Sequence, residues 1–274
     1  MENLVPAETA DNVFRSNQMY VDSIVIHNNH FPARDNYPFN ISLLKKTGRM
    51  DLKRRVAFFV GDNGSGKSSV LEAIARNYGL TVWGGEKTHI LHGNPFETRL
   101  SDFISLKGSW PRQGVTKGFL FRSENFFNYA SSLDDIVMTD PGILDYYGGV
   151  SLHEQSHGQA FLSFFKNRCV LNGLYLLDEP EAALSPANQL TFLKVLRGIV
   201  ETVSKVQFVI CTHSPIILGY PGAQTLSFDH VPITEISYEE TKSFKFYRDF
   251  LNDPDSYLTN LNGLTDETGG NGTE

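Results

Sequence analysis

Residues 61–69 of the chain read GDNGSGKSS, and within them Gly61, Gly66, Lys67 and Ser68 stand at the spacing of a phosphate-binding loop. Glycines let backbone N–H groups converge on phosphate oxygens where side chains would collide, and the N-terminus of a following helix adds partial positive charge. The pattern assigns Gly61, Asn63, Gly64, Ser65, Gly66, Lys67, Ser68 and Ser69 to a nucleoside triphosphate, taken as ATP. Lys67 is expected to bridge the β- and γ-phosphates and Ser68 to ligate Mg²⁺. A second pair of groups, Asp178 and Glu179, follows the apolar run LYLL at 174–177. At the C-terminal edge of a parallel sheet, where ligands collect, Asp178 would hold the magnesium shell. Glu179 would orient and deprotonate the attacking water. An ordinary acidic turn before Pro180 is the alternative reading of these two residues.

Such groups need strands to present them, and three runs qualify: VAFFV (56–60), LYLL (174–177) and VQFVIC (206–211). They are continuously or almost continuously apolar rather than alternating, which suits strands buried on both faces of a parallel sheet. After the first, residues Lys67 to Tyr78 place Val70, Leu71, Ile74 and Tyr78 on one helical face, with Gly79 positioned to end the helix. A second helix is expected from Ser185 as N-cap and Pro186 at N1, its apolar face running through Leu190, Leu193, Leu196 and Val200. Strands alternating with helices predict an α/β fold with a mostly parallel sheet.

The chain has 274 residues, 41% hydrophobic and 20% charged, enough to bury a substantial core and too apolar for a wholly disordered or fibrous chain. Residues 1–19 read as a flexible N-terminus, 20–264 as one domain, and 265–274, TDETGGNGTE, as a disordered tail. A net charge of −7 without a long basic run does not indicate nucleic-acid binding, although a local basic patch stays open. Cys169 and Cys211 sit in apolar stretches and support neither a disulfide framework nor a cysteine metal site. No run approaches the roughly 18 apolar residues of a spanning helix, and MENLVPAETADN lacks the character of a signal peptide. A cytoplasmic location without membrane insertion is therefore expected. The pairs His27/His30, His89/His92 and His153/His157 have helical spacing but no third ligand nearby, so they read as surface or hydrogen-bonded histidines rather than zinc ligands.

With LYLLDEPEAALSP the sequence resembles the ABC-type ATPase superfamily, matching its Walker B strand, catalytic glutamate and D-loop in unbroken order. SHGQ (Ser156 to Gln159), preceded by LHEQ, is similar to the ABC signature, and FVICTHSP puts His213 where the family has its switch histidine. Further phrases, YPFN, FFVGDNGSGKSSVLEAIA, FRSENFFN and YPGA, resemble small single-domain bacterial ATPases of the AAA family that have an ABC-like head alone. The resemblance implies a P-loop NTPase fold: an ABC-type head with an N-terminal β lobe and a short helical subdomain at about 123–160. It implies catalysis by Glu179, His213 and Lys67, with ATP and Mg²⁺ as cofactors. It also implies a homodimer closing head to tail in an ATP-dependent way, in which Ser156, Gly158 and Gln159 grip the γ-phosphate bound to the opposite copy.

Two departures stand out. A histidine replaces the first glycine of the commoner SGGQ signature, and Arg122 falls where a Q-loop glutamine would stand, with Glu124 two residues beyond. Arg122 could contact phosphate and Glu124 could reach Mg²⁺ through water; a surface ion pair is the plainer alternative. Tyr20, at the start of the first expected strand, is a candidate to stack on adenine, with a core or interface tyrosine as the other reading.

The best-fitting role is a solitary switch ATPase controlling a protein partner such as a nuclease, toxin or defence effector. A transporter subunit would need a larger helical lobe to dock a membrane partner. A DNA-repair head would carry a heptad-patterned coiled coil between the P-loop and the signature. A scaffold that binds ATP without turnover would not need Glu179.

Overall fold

The computed structural model describes residues 19–32, 36–83, 99–109 and 118–259. The residues expected to be flexible at 1–18 and 265–274, and the pair His89/His92, lie outside them. Ten strands occur among the described residues: β1 (Ser23–Ile26), β2 (Arg49–Asp51), β3 (Val56–Val60), β4 (Thr81–Trp83), β5 (Ile104–Lys107), β6 (Gly118–Arg122), β7 (Gly173–Asp178), β8 (Val206–Cys211), β9 (Gln224–Ser227) and β10 (Thr234–Ile236). A three-stranded antiparallel sheet runs β2-β1-β5, and a seven-stranded sheet runs β10-β9-β3-β8-β7-β6-β4. In the larger sheet every pairing is parallel except that of β10 with β9.

The helices are α1 (Ser42–Lys46), α2 (Lys67–Tyr78), α3 (Phe126–Val137), α4 (His157–Arg168), α5 (Pro186–Thr202), α6 (Pro215–Leu218), α7 (Lys242–Asn252) and α8 (Pro254–Leu258). Between α3 and α4 lie the 3₁₀ turns Pro141–Tyr147 and Leu152–Glu154, so residues 123–160 consist of helices and turns without a strand. α2 has the expected limits, and Gly79 closes it in the left-handed conformation. α5 starts as read, with the Ser185 hydroxyl accepting from Asn188 N–H and Pro186 in the first turn.

Its buried face departs from the expectation at Leu190, while Leu193 packs against the core and Leu196 and Val200 are buried. Leu190 is 53% exposed, whereas Gln189, Phe192, Leu196, Ile199 and Val200 are buried. The helix is turned so that Phe192 enters the aromatic core beside Phe161 and Phe165, and Gln189 reaches the Ser214 hydroxyl, which donates to its Oε1. Leu190 is thereby displaced to the outside.

The continuous apolar strands are explained by two cores, one on each face of the large sheet. Ala57 and Phe59 of β3, Leu174 and Leu176 of β7, and Val209 and Cys211 of β8 face a core shared with α2 and the antiparallel sheet. Their neighbours Val56, Phe58, Val60, Tyr175, Leu177, Phe208 and Ile210 face a second core shared with α3, α4 and α5. Because strand side chains alternate, a strand covered on both faces must be apolar at every position. At about 1.5–3 kcal/mol for each fully buried large side chain, this double layer fixes the register of β3, β7 and β8. Their C-terminal ends are thereby fixed side by side.

Tyr20 belongs to that packing and not to an adenine site. β1 begins at Ser23, and the buried Tyr20 ring meets Tyr78 edge to face at 6.0 Å. Lys205 lies over its face and accepts from its hydroxyl through the backbone carbonyl. Lys205 precedes β8, so Tyr20 sits at the sheet edge opposite the phosphate loop.

Candidate functional site

The loop after β3 is shaped by its glycines. Gly61, Gly64 and Gly66 have φ of 149°, 76° and 98°, and a Cβ on Gly61 would come within 2.9 Å of Phe228 Cβ. Gly61→Ala is therefore expected to destabilise the fold by about 1–3 kcal/mol as well as distort the loop. A urea midpoint equal to that of the wild type would contradict this.

Within the loop, the Lys67 ammonium is buried and donates to Gly61 O at 2.7 Å and Asp62 O at 3.0 Å. Asn63 and Gly64 are exposed at the tip. Ser65 Oγ is buried with no hydrogen-bond partner. The Ser69 hydroxyl is bonded to Tyr37 at 2.6 Å, and the Ser68 hydroxyl donates to Asp178 Oδ1 at 3.1 Å.

That last bond joins the two expected halves of the site. β7 delivers Asp178 to the sheet edge beside Arg122 of β6 and Cys211 of β8. Burial pushes the Asp178 carboxyl above the usual carboxylate range, opposed by the Ser68 hydroxyl and Arg122. Glu179 follows with φ 50°, the one positive value among the described non-glycine residues. This is strain of a kind that concentrates at functional sites. Its backbone is pinned on both sides, since its N–H donates to Cys211 O at 3.0 Å and its carbonyl accepts from the Ser123 hydroxyl at 2.6 Å. Its side chain is left half-exposed, with Oε1 3.8 Å from His213 Nε2.

His213 is held through its backbone: its N–H donates to Glu181 Oε1 at 2.6 Å. Burial and the nearby Lys67 charge lower the imidazole pKa below its ordinary value, which keeps it neutral at pH 7. Its Nε2 is buried without a hydrogen-bond partner. The Glu181 carboxyl is pushed up, chiefly by burial.

Asp178, Glu179, Ser68 and Ser69 line a groove of about 590 Å³ together with Glu72, Arg122, Ser123, Glu124 and His157. Glu124 lines the groove from its exposed rim. Arg122 is ion-paired with Glu72 at 2.6 Å. At the signature, Ser156 caps α4, and both its N–H and its hydroxyl donate to Gln159 Oε1, at 3.2 and 2.9 Å. Ser156 and Gln159 are exposed, but Gly158 is buried, where a Cβ would stand 2.6 Å from Asn188 Nδ2 and 3.2 Å from Ala183 O. Gly158 thus has a packing reason within its own chain. The neighbouring His157 lines the groove of its own chain.

Several residues escaped the sequence reading. Glu181 was overlooked although it stands two residues beyond Glu179, within DEPE. Glu72 lies one turn along α2 from Ser68, a spacing that would have placed it beside the same pocket. Asp229 accepts from Asp62 N–H at 2.9 Å and pairs with Lys242, which also holds the Asp62 carboxylate. This ties the phosphate loop to the start of α7, a long-range contact with no local signal.

Residues 120–218 match the family model for the AAA ATPase domain. The match begins in β6 and ends with α6, so it takes in Ser156, Gly158, Gln159, Asp178, Glu179 and His213 but not the 61–69 loop. Among solved structures the chain is similar to cbiO1 from Clostridium perfringens, part of the ABC transporter complex cbiONQ. The identity is 18% and the TM-score 0.44, over 88% of this chain and 99% of that one. It is also similar to the SMC head domain from Thermotoga maritima, at 15% identity and a TM-score of 0.43, over 80% of this chain and 99% of that one. No curated protein matches the sequence. The family match agrees with the resemblance to AAA ATPases, and the mostly parallel sheet with a glycine-rich loop between β3 and α2 is the arrangement expected of a P-loop NTPase fold.

Proposed function

We propose that the protein is a Mg²⁺-dependent ATPase in which two copies close head to tail around two nucleotides, and that this closure switches a partner protein. The observation that supports the chemistry best is the Ser68 to Asp178 hydrogen bond, because it joins the phosphate loop to the acidic end of β7. A hydroxyl and a carboxylate are hard oxygen donors. Mg²⁺ commonly takes one or two carboxylates and completes its shell with phosphate oxygens and water, so this pair fits it. Bound there, the ion would neutralise phosphate charge.

Lys67 then exchanges its two loop carbonyls for phosphate oxygens. Glu179 orients the water and takes its proton. His213, neutral and anchored by Glu181, presents its unpartnered Nε2 beside Glu179.

The dimer rests on the resemblance of SHGQ to the ABC signature and on the exposure of Ser156 and Gln159 at the N-terminus of α4, where the helix dipole favours an anion. The single-domain division at 20–264 and the role as a switch for a nuclease, toxin or defence effector belong to the same proposal. Among the described residues no helix is long and apolar enough to cross a membrane, and we place the protein in the cytoplasm.

Phosphate release by the purified protein tests turnover, and light scattering of the Glu179→Gln variant with and without Mg-ATP tests closure. Ser156→Arg is expected to keep each monomer's ATP binding while blocking the dimer, because a bulky cation fills the space of the facing phosphate. A Glu179→Gln protein that stays monomeric at high micromolar concentration with saturating ATP would refute the shared site.

A further inference from the structure

The charge in the groove is unbalanced. Among its described lining residues are four carboxylates, those of Glu72, Glu124, Asp178 and Glu179, against the single guanidinium of Arg122. A triphosphate brings more negative charge into the same space, so the placement of that guanidinium matters.

Arg122 ends β6 directly opposite Asp178 in the parallel register. Its Nη2 donates to Glu72 Oε2 at 2.6 Å, but its Nε stands 3.8 Å from Asp178 Oδ2, beyond hydrogen-bond reach. That Nε is buried and has no hydrogen-bond acceptor. Glu72 does not depend on Arg122 alone, since Arg76 donates to its other oxygen at 2.8 Å. Burial would raise the Glu72 pKa, yet the hydrogen bonds from Arg122 and Arg76 outweigh it and hold the carboxyl below its ordinary value. Arg122 thus combines an unsatisfied buried donor, a position on the wall of the groove, and an anchor that remains neutralised if it leaves. The planar fork of a guanidinium suits phosphate oxygens better than the one distant carboxylate oxygen it now faces.

Building on the ATPase reading above, we infer that Arg122 recognises the terminal phosphate of the nucleotide: its guanidinium turns from Asp178 onto that phosphate and thereby distinguishes ATP from ADP. The turn also moves the Arg122 guanidinium away from Asp178 and leaves Glu72 to Arg76.

The test is calorimetric titration of Mg-ATP and Mg-ADP into wild-type protein and the variants Arg122→Gln, Arg122→Lys and Glu72→Gln. Arg122→Gln should weaken Mg-ATP binding by about 10- to 100-fold, the range for a hydrogen bond to a charged group. Mg-ADP binding should change by less than about twofold, because ADP lacks the phosphate in question. Glu72→Gln breaks the same ion pair but keeps the guanidinium, so its ATP/ADP affinity ratio should stay near that of the wild type. Equal losses for both nucleotides in Arg122→Gln, or no loss for either, overturn the inference. So does a ratio in Glu72→Gln that falls as far as in Arg122→Gln, since Arg122 would then act only by holding the ion pair. If Arg122→Gln fails to fold, Arg122→Lys decides: it keeps the charge without the fork, and an ATP/ADP ratio equal to the wild-type value overturns the proposal. Failure of the wild type to bind either nucleotide would instead overturn the ATPase reading itself.

Discussion

Lys67→Ala is expected to abolish tight ATP binding while leaving the fold in place. The ammonium is buried in the loop, and its donations to Gly61 O and Asp62 O hold it within the turn that would cradle phosphate. In the proposed ATPase these donors would pass to the β- and γ-phosphates on nucleotide binding. Two charge-assisted bonds at about 1.5–3 kcal/mol each correspond to a loss of roughly 10²- to 10⁴-fold in affinity. The structural cost is smaller, because Gly61 and Asp62 lie in a partly exposed loop where water can take over the carbonyls. The measurement is titration with a fluorescent ATP analogue, with a urea midpoint close to that of the wild type as the control for folding. Near-normal affinity in folded Lys67→Ala protein would sink the assignment of residues 61–69 to phosphate.

What could be read in the sequence follows from how local each signal is. The β3–loop–α2 unit was legible because its apolar run, its glycines and the closing Gly79 are adjacent in sequence and each has a direct conformational meaning. The meeting of Ser68 with Asp178 was legible for a different reason. Continuous apolar strands are typical of parallel sheets covered on both faces, and parallel strands bring their C-terminal ends to one edge. The position of Leu190 was not legible, since helical periodicity leaves several apolar residues competing for one face. The aromatic cluster of Phe161, Phe165 and Phe192 settled the rotation of α5. The choice between the two readings of Tyr20 was not legible, because an aromatic near the first strand says nothing of which sheet edge it reaches. The bonds of Arg122 with Glu72, of the His213 backbone N–H with Glu181 and of Lys242 with Asp62 join residues 50, 32 and 180 positions apart, and only the folded topology creates them.

Glu179→Gln is expected to preserve ATP binding and cut turnover by about 10²- to 10⁴-fold, the range for removing a positioned general base. The substitution keeps size and shape, and the features that fix the position of this residue are all in its backbone. Its N–H is bound to Cys211 O, its carbonyl accepts from Ser123, and its φ of 50° is imposed by those two anchors. Glutamine therefore adopts the same place, with an amide that cannot accept the proton of an attacking water. Glu181, two residues on, is a poor substitute: it is only partly exposed, and one of its oxygens is occupied by the His213 N–H. A Glu181→Gln variant should consequently disturb His213 without reproducing the loss at position 179. Single-turnover phosphate release, with the enzyme in excess over ATP, separates this chemical step from product release. Release at the wild-type rate from a Glu179→Gln protein that binds ATP normally would show that a different group activates the water, and Glu124 on the rim of the same groove would be the next carboxylate to replace.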